Sequence, residues 1–247
     1  VVAIEFLKHI RADKEYGLDI ELNKKMPLGS GLGSSASSAV AVLAGLNHMF
    51  DNILDKSELL KFAMHAEKIA CGSEHADNVA PALYGGFILI RSYKPLDIVS
   101  LPCPSNLHCI VIHPDVEVLT SYSRSLVPKE VKMETVIKQT GNVAAFISSL
   151  YEKDYELMSR SMVDFLAEPY REKLIPYYKD VKNSALKNGA IACGISGSGP
   201  SIFCLVSKIK LMDKIANEMK SIFDKHKISN QVYISKINKE GPRVEVL

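Results

Sequence analysis

Residues 27–39 read P-L-G-S-G-L-G-S-S-A-S-S-A and run straight into an apolar helical pattern over 36–50. Gly29, Gly31 and Gly33 remove side-chain bulk, so backbone N–H groups there can turn toward a ligand. The helix behind them adds its unpaired first-turn N–H groups and the positive end of its dipole. Such a segment folds as a loop feeding a helix, and the two together cradle an anion such as phosphate. The glycines are spaced G-x-G-x-G rather than G-x-G-x-x-G, and no lysine stands where G-x-x-x-x-G-K-[ST] requires one. The two commonest phosphate-loop patterns are therefore excluded, and a plain flexible loop is the competing reading.

The chain can bury a sizeable core, being 247 residues long and 47% hydrophobic, enough for one large or two small domains. Its 30 basic and 28 acidic residues are well mixed, Trp is absent, and no basic stripe is interleaved with aromatics. A nucleic-acid partner is not expected, nor is a membrane, because no apolar stretch approaches a span. Cys71, Cys103, Cys109, Cys193 and Cys204 are scattered without a C-x-x-C pair. That pattern predicts buried, reduced thiols in a cytoplasmic protein and no structural zinc. The ligands expected are small molecules.

Alternation over 17–24, with Leu18, Ile20 and Leu22 on one side, predicts a half-buried strand leading into the loop. Helices are predicted at 34–50, 57–71, 129–150, 154–167, 170–188 and 210–225. Strands are predicted at 85–90, 97–101, 107–113, 190–195, 201–206 and 232–237. The L-P-C-P-S-N stretch at 101–106 is the best boundary. Helices interleaved with hairpin-like strands argue an α+β fold with helices on one face of a mostly antiparallel sheet.

Glu67 is the sharpest single-residue signal after the loop. Its helical neighbours Leu60, Ala63, Met64, Ala70 and Cys71 are all apolar, which puts a carboxylate on a buried stripe. Such a group needs a partner: an ion pair or hydrogen bond in the core, or a hard cation such as Mg²⁺. The cluster G-S-E-H-A-D-N at 72–78 holds Asp77 and Asn78, able to orient a substrate hydroxyl, with Asp77 also able to take its proton. The alternative is a capped turn built on Ser73 or Asp77. A zinc site of Cys71, Glu74 and His75 lacks a convincing spacing. Arg124 and Arg171 carry planar forks suited to carboxylate or phosphate, although composition alone does not single them out. A second small-residue loop, Ser196-Gly197-Ser198-Gly199-Pro200-Ser201, is a tight strand connection that also permits close approach of another backbone. Two such loops in one chain suggest that they face each other.

Together, P-L-G-S-G-L-G-S-S-A-S at 27–37, H-A-D-N-V-A-P at 75–81 and I-S-G-S-G-P-S at 195–201 resemble the GHMP kinase superfamily. H-A-D-N-V-A-P-A-L-Y-G-G-F, T-S-Y-S-R at 120–124 and E-P-Y-R-E-K-L-I-P at 168–176 are most similar to its homoserine kinase branch. The resemblance covers essentially the whole chain. Ser37 stands where the family often has Ala, a small-for-small exchange. The family's opening block, P-[AG]-[ST]-x-N-x-G-x-G-[FY]-D, is missing, so residues 1–247 are expected to be the later part of a longer chain.

The resemblance implies two α+β lobes with the site between them, at 1–105 (ribosomal-protein-S5-like) and 106–247 (ferredoxin-like). It implies transfer of the ATP γ-phosphoryl group to the side-chain hydroxyl of L-homoserine, a step of threonine biosynthesis, with Mg²⁺. Pro27, Leu28, Gly29, Ser30, Gly31, Leu32, Gly33, Ser34 and Ser35 would cradle ATP, and Ser35 and Glu67 would hold the metal. Asp77 and Asn78 would handle the amino acid's polar groups, Arg124 and Arg171 its carboxylate, and Thr120 would lie beside the reacting region. Ser196, Gly197, Ser198 and Gly199 would shape the site, and a homodimer is the usual assembly. The competing readings are a mevalonate- or shikimate-type kinase of the same superfamily and a non-catalytic ligand-binding homologue. Ser35, Glu67 and both arginines argue against the last.

Overall fold

The computed structural model describes residues 1–71 and 75–246, with the side chains of residues 70 and 71 excepted. Ser73 and Glu74, considered above as cap and metal ligand, lie outside the described residues, as does the side chain of Cys71. The chain forms two compact units. The first comprises residues 1–28, 33–101 and 238–247; the second comprises 29–32 and 102–237. Residues 238–247, expected with the second lobe, thus group with the first unit, and four loop residues group with the second.

In the first unit, α1 (Val2–His9), α2 (Ser34–Met49), α3 (Lys56–Cys71) and α4 (Ala76–Tyr84) precede a hairpin of β1 (Phe87–Tyr93) and β2 (Leu96–Leu101). The helices pack around fully buried Phe6, Leu43 and Leu60. Each such side chain contributes roughly 1.5–3 kcal/mol on burial. Val40, Leu43 and Leu46 recur at helical spacing on α2 and explain which face it buries. The returning segment is fixed to the end of α4 by close backbone approach. The Gly86 N–H donates to Asn238 O at 2.7 Å, and a Cβ on Gly241 would lie 2.2 Å from Leu83 O.

Residues 17–24 form no strand, contrary to expectation. Ile20 and Leu22 are about half exposed, at 52% and 50%. Alternation alone does not make a strand. A ladder needs a neighbour to take its N–H and C=O groups, and among the described residues none pairs with this segment.

The second unit centres on an antiparallel sheet in the order β4-β5-β3-β6, built from β3 (His108–Pro114), β4 (Ala192–Ile195), β5 (Ile202–Val206) and β6 (Asn230–Lys236). Between β3 and β4 lie α5 (Thr120–Ser125), α6 (Met133–Glu152), α7 (Tyr155–Ser161), α8 (Glu168–Arg171) and α9 (Tyr178–Lys187); α10 (Met212–Lys225) precedes β6. On α10, Met212, Ile215, Ala216, Met219 and Phe223 make one buried stripe that packs with α9 over Ile110, Ile112, Ile202 and Cys204. The helix expected at 154–167 stops at Ser161, and that expected at 170–188 is broken. Pro176 forces extended backbone at Ile175 (φ −115°, ψ 109°), which ends the first piece.

Candidate active site

The glycine loop enters α2 through Gly33, whose left-handed backbone (φ 70°) serves as N-cap without any side-chain cap. The first backbone bond of the helix runs from Ser37 N–H to Gly33 O at 2.9 Å. The N–H groups of Ser34, Ser35 and Ala36 precede that bond, the arrangement that receives anions at helix starts. Ser34 is buried, and its Oγ has no hydrogen-bond partner among the described residues; Ser35 is exposed, and Leu28 at the loop's start is 77% exposed. Leu22, Met26, Ser34, Ser37, Ser38 and Ala41 line a cavity of about 270 Å³. Asn78 packs directly on Gly33, where a Cβ would lie 3.0 Å from Asn78 Oδ1. Asp77 and Asn78 both sit exposed in the first turn of α4. Glu67 is 8% exposed on α3, as its apolar neighbours predicted.

The upstream half of the loop meets the second small-residue loop, all within the second unit. Ser196 Oγ donates to Gly31 O at 2.9 Å, and the Ser201 N–H donates to Ser30 O at 3.3 Å. A Cβ on Gly31 (φ +74°) would lie 2.3 Å from Ser196 O and 2.7 Å from Gly199 O. No side chain fits there. Ser30 is buried, and its Oγ accepts from the Leu32 N–H at 3.4 Å. Two of the substrate candidates, Thr120 and Arg171, also reach the 196–201 loop. Thr120 Oγ1 lies 3.3 Å from Ser198 Oγ, Ser123 Oγ donates to Ser198 O at 2.9 Å, and Arg171 Nη1 donates to Gly197 O at 2.9 Å.

Arg124 acts on the charge of Arg171. Burial holds the Arg171 guanidinium below its usual range, Asp164 opposes that shift, and Arg124 reinforces it. Arg171 Nε is buried with no partner among the described residues. Two adjacent guanidinium groups with an uncommitted N–H suit an incoming carboxylate. Cys109 and Cys193 offer no nucleophile, since burial pushes each up to about 12. Cys193 and Cys204 are buried as expected, whereas Cys103 and Cys109 are only partly so.

Comparison with known proteins adds what geometry alone does not. Residues 1–86 match the GHMP kinases N terminal domain, and residues 146–225 match GHMP kinases C terminal. Homoserine kinase of Chlorobium phaeobacteroides (strain BS1) is 46% identical over 98% of this chain and 78% of its own length. The chain belongs to the homoserine kinases of the GHMP family. Homoserine kinase of Chloroherpeton thalassium is 44% identical over 98% of the chain and 76% of its own length. The crystal structure of homoserine kinase from Cytophaga hutchinsonii superposes with a TM-score of 0.92 at 46% identity, covering 98% of this chain and 76% of that one. Mevalonate kinase of Methanococcus jannaschii (TM-score 0.71, 17% identity) shares the fold alone.

Three side chains beside the motifs of this homoserine kinase family member escaped the sequence reading. Ser123 lies within T-S-Y-S-R, but nothing in its spacing marks it as the fully buried donor to Ser198. His113 Nδ1 lies 3.1 Å from Ser201 Oγ, a contact across 88 residues with no local signature. Asp164 did leave one: an aspartate ahead of a turn readily accepts the backbone N–H group two residues on.

Proposed function

We propose that this GHMP kinase transfers the γ-phosphoryl group of ATP to the side-chain hydroxyl of L-homoserine, giving O-phospho-L-homoserine for threonine biosynthesis. One observation carries the reading: the glycine loop is held open by a backbone contact at Gly31 that excludes even a methyl group, in a chain whose relatives are homoserine kinases. The amides of Gly31 to Ser35 take the phosphate oxygens, Pro27 to Ser30 lead into that cradle, and the cavity beside Ser34 and Met26 offers room for the nucleoside. Asp77 and Asn78 orient the amino acid, Arg124 and Arg171 take its carboxylate, and Thr120 lies near the reacting hydroxyl.

Among the described residues no three His, Cys, Asp or Glu side chains form a metal cage. Mg²⁺ is an ion held by few protein oxygens together with substrate phosphates and water. Buried Glu67 and exposed Ser35 are the hard-oxygen donors assigned to it; when bound, it neutralises charge on the β- and γ-phosphates. The homoserine oxygen attacks the γ-phosphorus, the bond to ADP breaks, and the hydroxyl proton passes to a phosphoryl oxygen. The transition state is loose, so positioning and charge neutralisation suffice and no side chain need act as base.

ADP release measured with homoserine, mevalonate, shikimate and galactose tests the reading. Homoserine should exceed the others in kcat/KM by at least about 100-fold. Activity should vanish with a chelator and return with Mg²⁺. A homoserine rate no better than the rest would overturn the substrate, and nucleotide binding without any turnover would favour a ligand-binding homologue.

A further inference from the structure

Arg171 ends α8, a single turn that runs on into a 3-10 turn at Glu172–Leu174, and so short a helical stretch does not hold itself, because nucleation is unfavourable. Something outside α8 must fix it. The carboxylate of Asp164 reaches across its start: Asp164 accepts the N–H groups of Leu166 at 2.7 Å and Ala167 at 2.9 Å on Oδ1, and of Glu168 at 3.0 Å on Oδ2. Those donors belong to the two residues just before α8 and to its first residue, and the carboxylate gathers them into one tight turn. Only the residues of α8 separate this clamp from the guanidinium, which is tied at its far end to Gly197 O. The Glu168–Lys182 ion pair anchors the same turn to α9.

The charges point the same way. Arg124 and burial both disfavour the positive charge on Arg171, and Asp164 is the neighbour that favours it. Asp164, Arg171 and Gly197 also line one cavity of about 250 Å³, so the clamp and the guanidinium share an open face.

We infer that Asp164 is a positioning residue for homoserine: it fixes the turn that carries Arg171 and supplies the negative charge that lets two arginines stand together before the substrate carboxylate arrives. The inference rests on the assignment of Arg171 to that carboxylate.

Asp164→Asn keeps an oxygen to accept the Leu166 and Ala167 N–H groups but removes the charge; Asp164→Ser keeps a shorter acceptor. Homoserine affinity of the full chain, by calorimetry and as KM, should fall about tenfold in Asp164→Asn, with ATP affinity within about twofold. In an Arg171→Ala background the same change should add less than about twofold. With 3-aminopropan-1-ol, which lacks the carboxylate, parent and Asp164→Asn should bind alike. If Asp164→Asn fails to fold, the Asp164→Ser cycle decides by the same criteria. An equal loss in both backgrounds, a parallel loss of ATP affinity, or no loss at all overturns the positioning role. An Arg171→Ala chain with unchanged homoserine affinity overturns the assignment of Arg171 and the inference with it.

Discussion

The glycine loop at 27–35 and the single-turn helix that carries Arg171 are held by opposite means. The loop is fixed chiefly by close backbone approach, with Gly31 pressed on the carbonyls of Ser196 and Gly199 and one small hydroxyl, Ser196 Oγ, donating to Gly31 O. The helix is fixed by side chains, through the Asp164 carboxylate in the turn before it, the Glu168–Lys182 pair and the Arg171 bond to Gly197 O. On the proposed assignment, the difference follows from what each would recognise. Phosphate oxygens are many and alike, so a row of amides reads them and bulk is excluded. A single carboxylate on a small zwitterion needs long, charged reach from supports placed elsewhere in the chain.

The strongest way to break that contrast is Gly31→Ala. Any Cβ there meets a carbonyl at 2.3 Å on a backbone of φ +74°, so the loop must shift. ATP kcat/KM should drop at least about 100-fold, while homoserine binding by calorimetry changes by less than about threefold. Comparable losses for both ligands would mean that the two regions are not separately held. Ser123→Ala probes the joint where a side chain supports the backbone loop. Its fully buried hydroxyl donates to Ser198 O at 2.9 Å. Losing it should lower unfolding free energy by about 1–2 kcal/mol in urea titration, with modest effects on either KM.

The contrast also explains what could be read from sequence. Small-residue loops and apolar stripes are local patterns, so the start of α2, buried Glu67 and most sheet strands were visible in advance. Even the meeting of Gly31 with Ser196 was suggested by two loops of one composition. The irregular course of residues 17–24 was not legible, because a strand depends on a neighbour that its own alternation does not supply. Ser123 and His113 were hidden for the same reason, being defined by partners far along the chain. The break at Pro176 was legible and was missed, since the helical pattern on either side outweighed one proline.

The smallest expected effect concerns His113, which lies against Ser201 below the loop. Burial lowers its proton affinity below the ordinary value of 6.5, against a weaker opposing pull from Asp115. Between the lowered folded value and about 6.5, the unfolded chain binds the proton and the folded chain does not. Stability contributed by neutral His113 is therefore present above that window and falls as pH drops through it. His113→Asn should flatten the decline in Tm between pH 7 and 5, with little change at pH 8. An unchanged slope would place the acid sensitivity elsewhere.

The most direct measurement is a crystal structure of the chain with a non-hydrolysable ATP analogue, magnesium and homoserine. It should show the β- and γ-phosphates on the amides of Gly31 to Ser35, the metal at Ser35 and Glu67, and the homoserine carboxylate on Arg124 and Arg171. Phosphates bound away from that loop, or a carboxylate held by other side chains, would contradict the division of labour between backbone and arginines.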